Sequence, residues 1–164
     1  MSADASNLLP MLSEKEISEI EHEISHLPDR QSAAIDALRI VQSHRGWVSD
    51  ESVSSIARLL GMSAAAVDGI ATFYNLIFRQ PVGRNVIMLC DSVSCFVMGA
   101  SDIRAALIDQ LGIQPGETTA DDRFTLLPIV CLGNCDHAPT LLINEDLIND
   151  VKVEGLAKLL EAYS

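Results

Sequence analysis

The sequence predicts an α+β protein built in two parts, an all-helical N-terminal half followed by a small α/β layer with a mixed sheet. Three observations predict it. Apolar stripes at helical spacing, each with its own start or stop signal, recur four times before residue 80. The character of the chain changes at Pro81-Val82-Gly83. Beyond that point short apolar runs and helix formers follow in the order β-α-β-β-α, which suggests one sheet with helices packed on it.

Residues 1–12 read as a flexible lead-in. Ser13-Glu14-Lys15-Glu16 is a capping box, in which a serine hydroxyl and a glutamate carboxylate satisfy helix amides reciprocally. Ile17, Ile20 and Ile24 follow at helical spacing with Glu19, Glu21 and Glu23 opposite, and Pro28 breaks the helix. The acidic face of Glu16, Glu19 and Glu23 is expected to be solvated. A second helix is expected from about Ser32 to His44, with Ile35, Leu38 and Val41 inward and Gly46 as its stop. A third starts at Ser49-Asp50, carries Val53, Ile56, Ala57 and Leu60 on one face, and stops at Gly61. Ser63 caps a fourth, short one with Val67, Ile70, Ala71 and Tyr74 on a common face.

In the second half, Asn85–Leu89 is an apolar run that leads directly into Cys90, as a buried strand does. Helix formers then run from Cys95 to Leu111 and end at Gly112. Phe124–Val130 predicts a second strand ending at Cys131, and Thr140–Ile143 a third. Asn144–Asp146 is a polar turn, Leu147-Ile148 a short fourth strand, and Val153–Tyr163 a closing helix. The sequence thus divides into a lead-in (1–12), a helical domain (13–80) and an α/β domain (81–164).

Composition narrows the function. Hydrophobic residues make up 48 % of the 164, enough for a packed core, and only seven are aromatic, so that core is aliphatic. The net charge of −12 argues against nucleic acid, whose phosphates need clustered Lys and Arg. Residues 1–80 hold 11 acids against 6 bases, and residues 81–164 hold 12 against 5, so the second half is the more acidic. No signal peptide pattern opens the chain, and no uncharged run reaches the ~20 residues of a membrane span. A soluble cytosolic protein without direct membrane insertion is expected, where structural disulfides are rare and paired cysteines bind metal or do redox work. Neither G-x-G-x-x-G nor a Walker A pattern occurs, so any electrons must come from elsewhere.

All four cysteines belong to one pattern: Cys90 and Cys95 as C-x4-C, then Cys131 and Cys135 as C-x3-C. Each pair begins at the end of a predicted strand. Two such loops at one sheet edge would bring four sulfurs together, and the small or turn-prone residues between them let backbone N–H groups face the sulfurs. Structural zinc favours the shorter C-x2-C spacer. Plant-type ferredoxins share the C-x4-C opening but not the second pair, a thioredoxin dithiol needs C-x-x-C, and a Rieske centre needs two histidines where only His137 is near. Spacing favours a [2Fe–2S] cluster and leaves zinc open.

The motifs C-D-S-V-S-C at 90–95 and C-L-G-N-C-D-H-A-P at 131–139 resemble those of the E-subunit family of NADH:quinone oxidoreductase (respiratory complex I), the thioredoxin-like [2Fe–2S] ferredoxins. The resemblance extends to R-G-W-V at 45–48, G-I-A-T-F-Y at 69–74 and R-Q-P-V-G-R at 79–84, and covers the chain from about Ile17 to Tyr163. It implies a thioredoxin-like domain whose Cys90, Cys95, Cys131 and Cys135 all bind one [2Fe–2S] cluster. It also implies an electron-transfer subunit of a respiratory oxidoreductase, with no catalytic activity of its own. Its partners would be the subunit that binds FMN and NADH, on which the helical domain docks with the cluster near the flavin, and the neighbouring large iron–sulfur subunit. The place implied is the peripheral arm of an inner-membrane complex. Equivalent subunits occur in NAD-dependent hydrogenases and formate dehydrogenases. Readings from other classes are a zinc-stapled interaction module and a diffusible ferredoxin.

Three smaller expectations attach to this. His137 is expected as a solvated loop residue, with tuning of the cluster as the alternative. Pro139 is expected trans, with a cis bond as the alternative by analogy with thioredoxins. Phe73, Tyr74, Ile77 and Phe78 are expected as local core between the halves, with a docking surface for the flavoprotein as the alternative.

Overall fold

Residues 12–163 are described by a computed structural model. Most of the expected lead-in, residues 1–11, therefore lies outside the described residues; Leu12 is buried in the helical core. The chain divides between Pro81 and Val82 into two units, each with its own aliphatic core.

The first unit is four α-helices: α1 (Glu14–Ile24), α2 (Ala34–Arg45), α3 (Asp50–Leu60) and α4 (Ala64–Phe73). Their starts are set by side chains that accept the first orphan amides. Ser13 closes the capping box with Glu16, and Ser49 and Ser63 accept from Ser52 and Ala66. Gly46 and Gly61 end α2 and α3 in the left-handed conformation, where a side chain would be strained. The expected second helix begins differently: Arg30–Ala33 forms a 3-10 turn capped by Asp29, and α2 proper starts at Ala34. Ile20, Leu38, Val41, Ile56 and Leu60 fill the centre.

Two expectations fail in this unit. Glu16 is not on a solvated face. It is 1 % exposed and receives two hydrogen bonds from Arg45, at 2.6 and 2.7 Å. A buried carboxylate is tolerated because the guanidinium and the Ser13 amide satisfy it. Phe73 is not core either. It is 78 % exposed and stacks edge-on against Tyr74, with Leu76 also exposed, while Ile77 alone of the group is buried. Phe73, the last residue of α4, lies two residues past Ala71 and six past Val67, on the face of the helix turned away from theirs.

Among the described residues no single helix is long and apolar enough to cross a membrane. Helices α3 and α4 together have that length and composition, but they bend by 117° at the break.

The second unit is a four-stranded mixed sheet in the order β2-β1-β3-β4. Strand β1 (Asn85–Cys90) runs parallel to β2 (Phe124–Ile129) and antiparallel to β3 (Leu141–Ile143), which turns at Asn144-Glu145 into β4 (Asp146–Ile148). All six β1 residues are buried, as its uninterrupted apolar run requires of a central strand. The expected helix from Cys95 to Leu111 is two helices, α5 (Val93–Val97) and α6 (Ala100–Leu111). Gly99, at φ 102°, breaks it. The closing helix is also shorter than expected: Val153–Gly155 is a 3-10 turn and α7 spans Leu156–Glu161. Ile103 and Leu107 of α6 and Leu156 and Leu160 of α7 pack with Ile87, Leu89 and Leu126 of the sheet.

Candidate metal centre

Because β1 and β2 are parallel and pair Cys90 with Ile129, both strands release the chain at one edge of the sheet. Cys90 is the last residue of β1, and Cys131 lies two residues past the end of β2. Cys95 sits in α5, one turn after the chain leaves β1. Cys135 opens the 3-10 turn Cys135–His137. Parallel pairing is what places two distant cysteine segments side by side.

The two pairs differ in setting. Cys90 and Cys95 are each 1 % exposed, whereas Cys131 and Cys135 are exposed. All four are free thiols. The loops are joined directly: the Asp91 amide donates to the Ile129 carbonyl at 2.7 Å, and the Cys90 thiol lies 3.9 Å from the Val130 carbonyl. Buried Thr140 touches both members of the first pair. Its carbonyl accepts from the Cys90 amide at 3.3 Å, and its hydroxyl lies 3.7 Å from the Cys95 sulfur. The Gly133 amide donates to the Cys131 sulfur at 3.3 Å, from a residue at φ 75° that favours glycine. The Ala138–Pro139 bond is cis, where trans was expected.

Among the described residues no three His, Cys, Asp or Glu side chains converge on one point in the way a single metal ion demands. A binuclear cluster asks something different: two pairs of thiolates, one pair on each iron. Four unpaired thiols on two cross-linked loops, with an N–H already aimed at one sulfur, fit that donor set.

The charges nearby are arranged unevenly. Asp91, after Cys90, pairs with Arg104 of α6 at 2.6 Å. Asp136, after Cys135, is 80 % exposed, with His137 Nε2 at 3.6 Å. His137 itself is half exposed and its Nδ1 lies 3.2 Å from the Asp150 carboxylate, so it is a surface residue held by a hydrogen-bond partner. The sequence pattern singles out neither Arg104 nor Thr140. Arg104 is 13 residues from Asp91, and nothing in a helical pattern signals which exposed base will turn toward a cysteine loop.

Around the cysteines lies an apolar surface. Val93, Phe96, Val97, Met98 and Val130 are between 61 % and 74 % exposed.

The sequence profile of the thioredoxin-like [2Fe–2S] ferredoxins matches residues 20–164. This chain belongs to that family. The ferredoxin is 54 % identical over 153 residues to the E subunit of NADH-quinone oxidoreductase from Pseudomonas aeruginosa, covering 93 % of this chain and 92 % of that one. It is 53 % identical over 152 residues to the protein of the same name from Escherichia coli (strain K12), with the same coverage of both. Among solved structures, its fold is similar to part of an NAD+-reducing [NiFe]-hydrogenase in the air-oxidized state, with a TM-score of 0.66 and 24 % identity. That match covers 83 % of this chain and 24 % of the hydrogenase chain, and it speaks to the fold.

Proposed function

We propose that this ferredoxin is the E-type electron-transfer subunit of a multisubunit NADH:quinone oxidoreductase, and that Cys90, Cys95, Cys131 and Cys135 hold its one [2Fe–2S] cluster. The observation that carries this is the pair of cysteine loops released side by side by β1 and β2 in a chain more than half identical to named E subunits over nearly their whole length. Full-length correspondence favours this parent complex over a hydrogenase, whose chain is several times longer than the matched part.

Bound there, a [2Fe–2S] cluster takes up and releases one electron at a time. The chain supplies the rest. Four thiolates fix the irons, and the Gly133 amide and Thr140 hydroxyl stabilise charge on sulfur. Sheet, α5 and α6 exclude water from the first pair. FMN and NADH belong to a partner subunit, and the cluster works beside that flavin. The isolated chain catalyses nothing.

Residues 81–164 carry the cluster, and residues 13–80 serve as a docking domain. The apolar surface of Val93, Phe96, Val97 and Met98 faces the flavoprotein, since exposed apolar patches of this kind mark interfaces. Phe73, Tyr74 and Leu76 give the helical unit a second such patch. The neighbouring large iron–sulfur subunit is a further contact, and the whole sits in the peripheral arm of an inner-membrane complex.

Anaerobic purification followed by iron, zinc and acid-labile sulfide analysis tests the reading. Two irons and two sulfides per chain are expected, with a brown-red colour that bleaches on reduction. Stoichiometric zinc without iron would sink it. Co-purification with the flavoprotein subunit tests the partner assignment.

A further inference from the structure

The second ligand loop is exposed and has little apolar burial to hold it, yet it is tied down from one side. The tie is the segment directly after β4, residues 149–151. The Asn134 amide donates to Asn149 Oδ1 at 2.6 Å. The Asp150 backbone amide donates to the His137 carbonyl at 2.9 Å, and the Asp150 carboxylate faces His137 Nδ1 at 3.2 Å. The Val151 amide donates to the Pro139 carbonyl at 2.9 Å. Three consecutive residues thus grip the loop on both sides of Cys135. Asp150 takes a φ of 48°, in the left-handed region that Asp tolerates better than most residues. The first ligand pair has no such need, because β1 and α5 bury it.

We infer that Asn149 and Asp150 are positioning residues for the cluster: they act through Asn134 and His137 to hold Cys135 where an iron can take it. The inference rests on the four-cysteine reading above. Partners outside the ligand set commonly change metal affinity by about 10-fold or more when removed, by loosening the ligand they orient. A carboxamide and a carboxylate on the loop's outer side are placed to do this without touching a sulfur.

The test uses the full-length holo-protein. Cluster loss to a chelator is followed by visible absorbance, and the reduced cluster is examined by EPR. Asn149→Ala and Asp150→Ala are each expected to speed cluster loss severalfold and to broaden or shift the EPR signal. The double variant is expected to fall short of the product of the two, because both residues hold one loop. Asn149→Asp, which keeps the accepting oxygen, is expected to restore retention. Asp146→Ala is the control: it breaks the Asp146–Tyr163 hydrogen bond in the same unit but does not touch the loop. Wild-type retention and an unchanged EPR signal in both alanine variants would overturn the inference while leaving the ligand assignment standing. Equal acceleration in Asp146→Ala would overturn it as well, by showing general destabilisation. A wild-type protein that binds no cluster would remove the ligand assignment and the positioning role together.

Discussion

At the scale of single residues, chemistry and burial divide the four cysteines into two classes. Cys90 and Cys95 are core side chains as well as thiols, so replacing either should cost stability in addition to the cluster. Alanine at any of the four positions is expected to abolish the visible spectrum, whereas the melting temperature of the cluster-free protein should fall for Cys90→Ala and Cys95→Ala and stay near wild type for Cys131→Ala and Cys135→Ala. Glu16 yields a second prediction. The hydrogen bond from Arg45 holds its carboxyl down to about 2 from the usual 4.5, against the desolvation that would raise it. A depressed folded pKa stabilises the protein above the unfolded value and is lost as pH falls from about 4.5 toward about 2. Glu16→Gln leaves the Arg45 charge unpaired and should cost about 3 kcal/mol near neutral pH, with a smaller difference from wild type at the acid end of that window. Urea unfolding at several pH values measures both.

At the scale of elements, the decisive arrangement is the parallel pairing of β1 and β2, which depends on how closely the two chains approach at their entry. A Cβ on Gly83 would stand 2.9 Å from the Asp122 carbonyl oxygen and 3.1 Å from the Phe124 amide nitrogen. Backbone lies on that side, not a flexible side chain, so no rotamer change can make room. Gly83 also donates its amide to the buried Thr125 hydroxyl at 2.7 Å. Gly83→Ala should therefore destabilise the second unit by about 1–3 kcal/mol, as overpacking does. Gly69→Ala, with open space around it, should not. Thermal unfolding of the two variants separates these outcomes. In the helical unit Arg79 plays the comparable part of a tie, donating to the Val48 carbonyl and to Asp50 and Asp68.

At the scale of the molecule, charge sets the expected redox behaviour. Residues 81–164 carry seven more acids than bases before any cluster is counted, and an added electron is repelled by them. Backbone N–H groups facing sulfur oppose this. The balance predicts a low-potential centre, on the order of −400 mV or slightly above. The two acids beside the cysteines should not contribute equally, since Arg104 already offsets Asp91 while Asp136 is exposed. Asp136→Asn should raise the potential by some tens of millivolts at low salt and by less at high salt, because exposed charges are screened. Arg104→Gln should lower it by uncovering Asp91. Redox titration followed by EPR reads both signs. Docking belongs to the same scale: Phe96→Asp is expected to weaken association with the flavoprotein subunit while leaving the cluster's spectrum intact, measured by co-purification and absorbance.

The helices of the first unit, the strand leading into Cys90 and the two cysteine motifs were all legible in the sequence. Caps, glycine stops and apolar period are local, and a thiol has the same chemistry wherever it lies. Spacing alone left iron–sulfur against zinc open, and it was resemblance to whole motifs that favoured one. What needed the tertiary structure was everything carried by long-range approach. The register Cys90↔Ile129 joins strands 39 residues apart in number, and no local pattern encodes it. Glu16 reads as one more surface acid until Arg45, 29 residues on, arrives to satisfy it. The same holds for Arg104, Thr140, Asn149 and Asp150. Each is an ordinary polar residue by sequence, and its place beside the cysteine loops exists only because the sheet brings separate segments together.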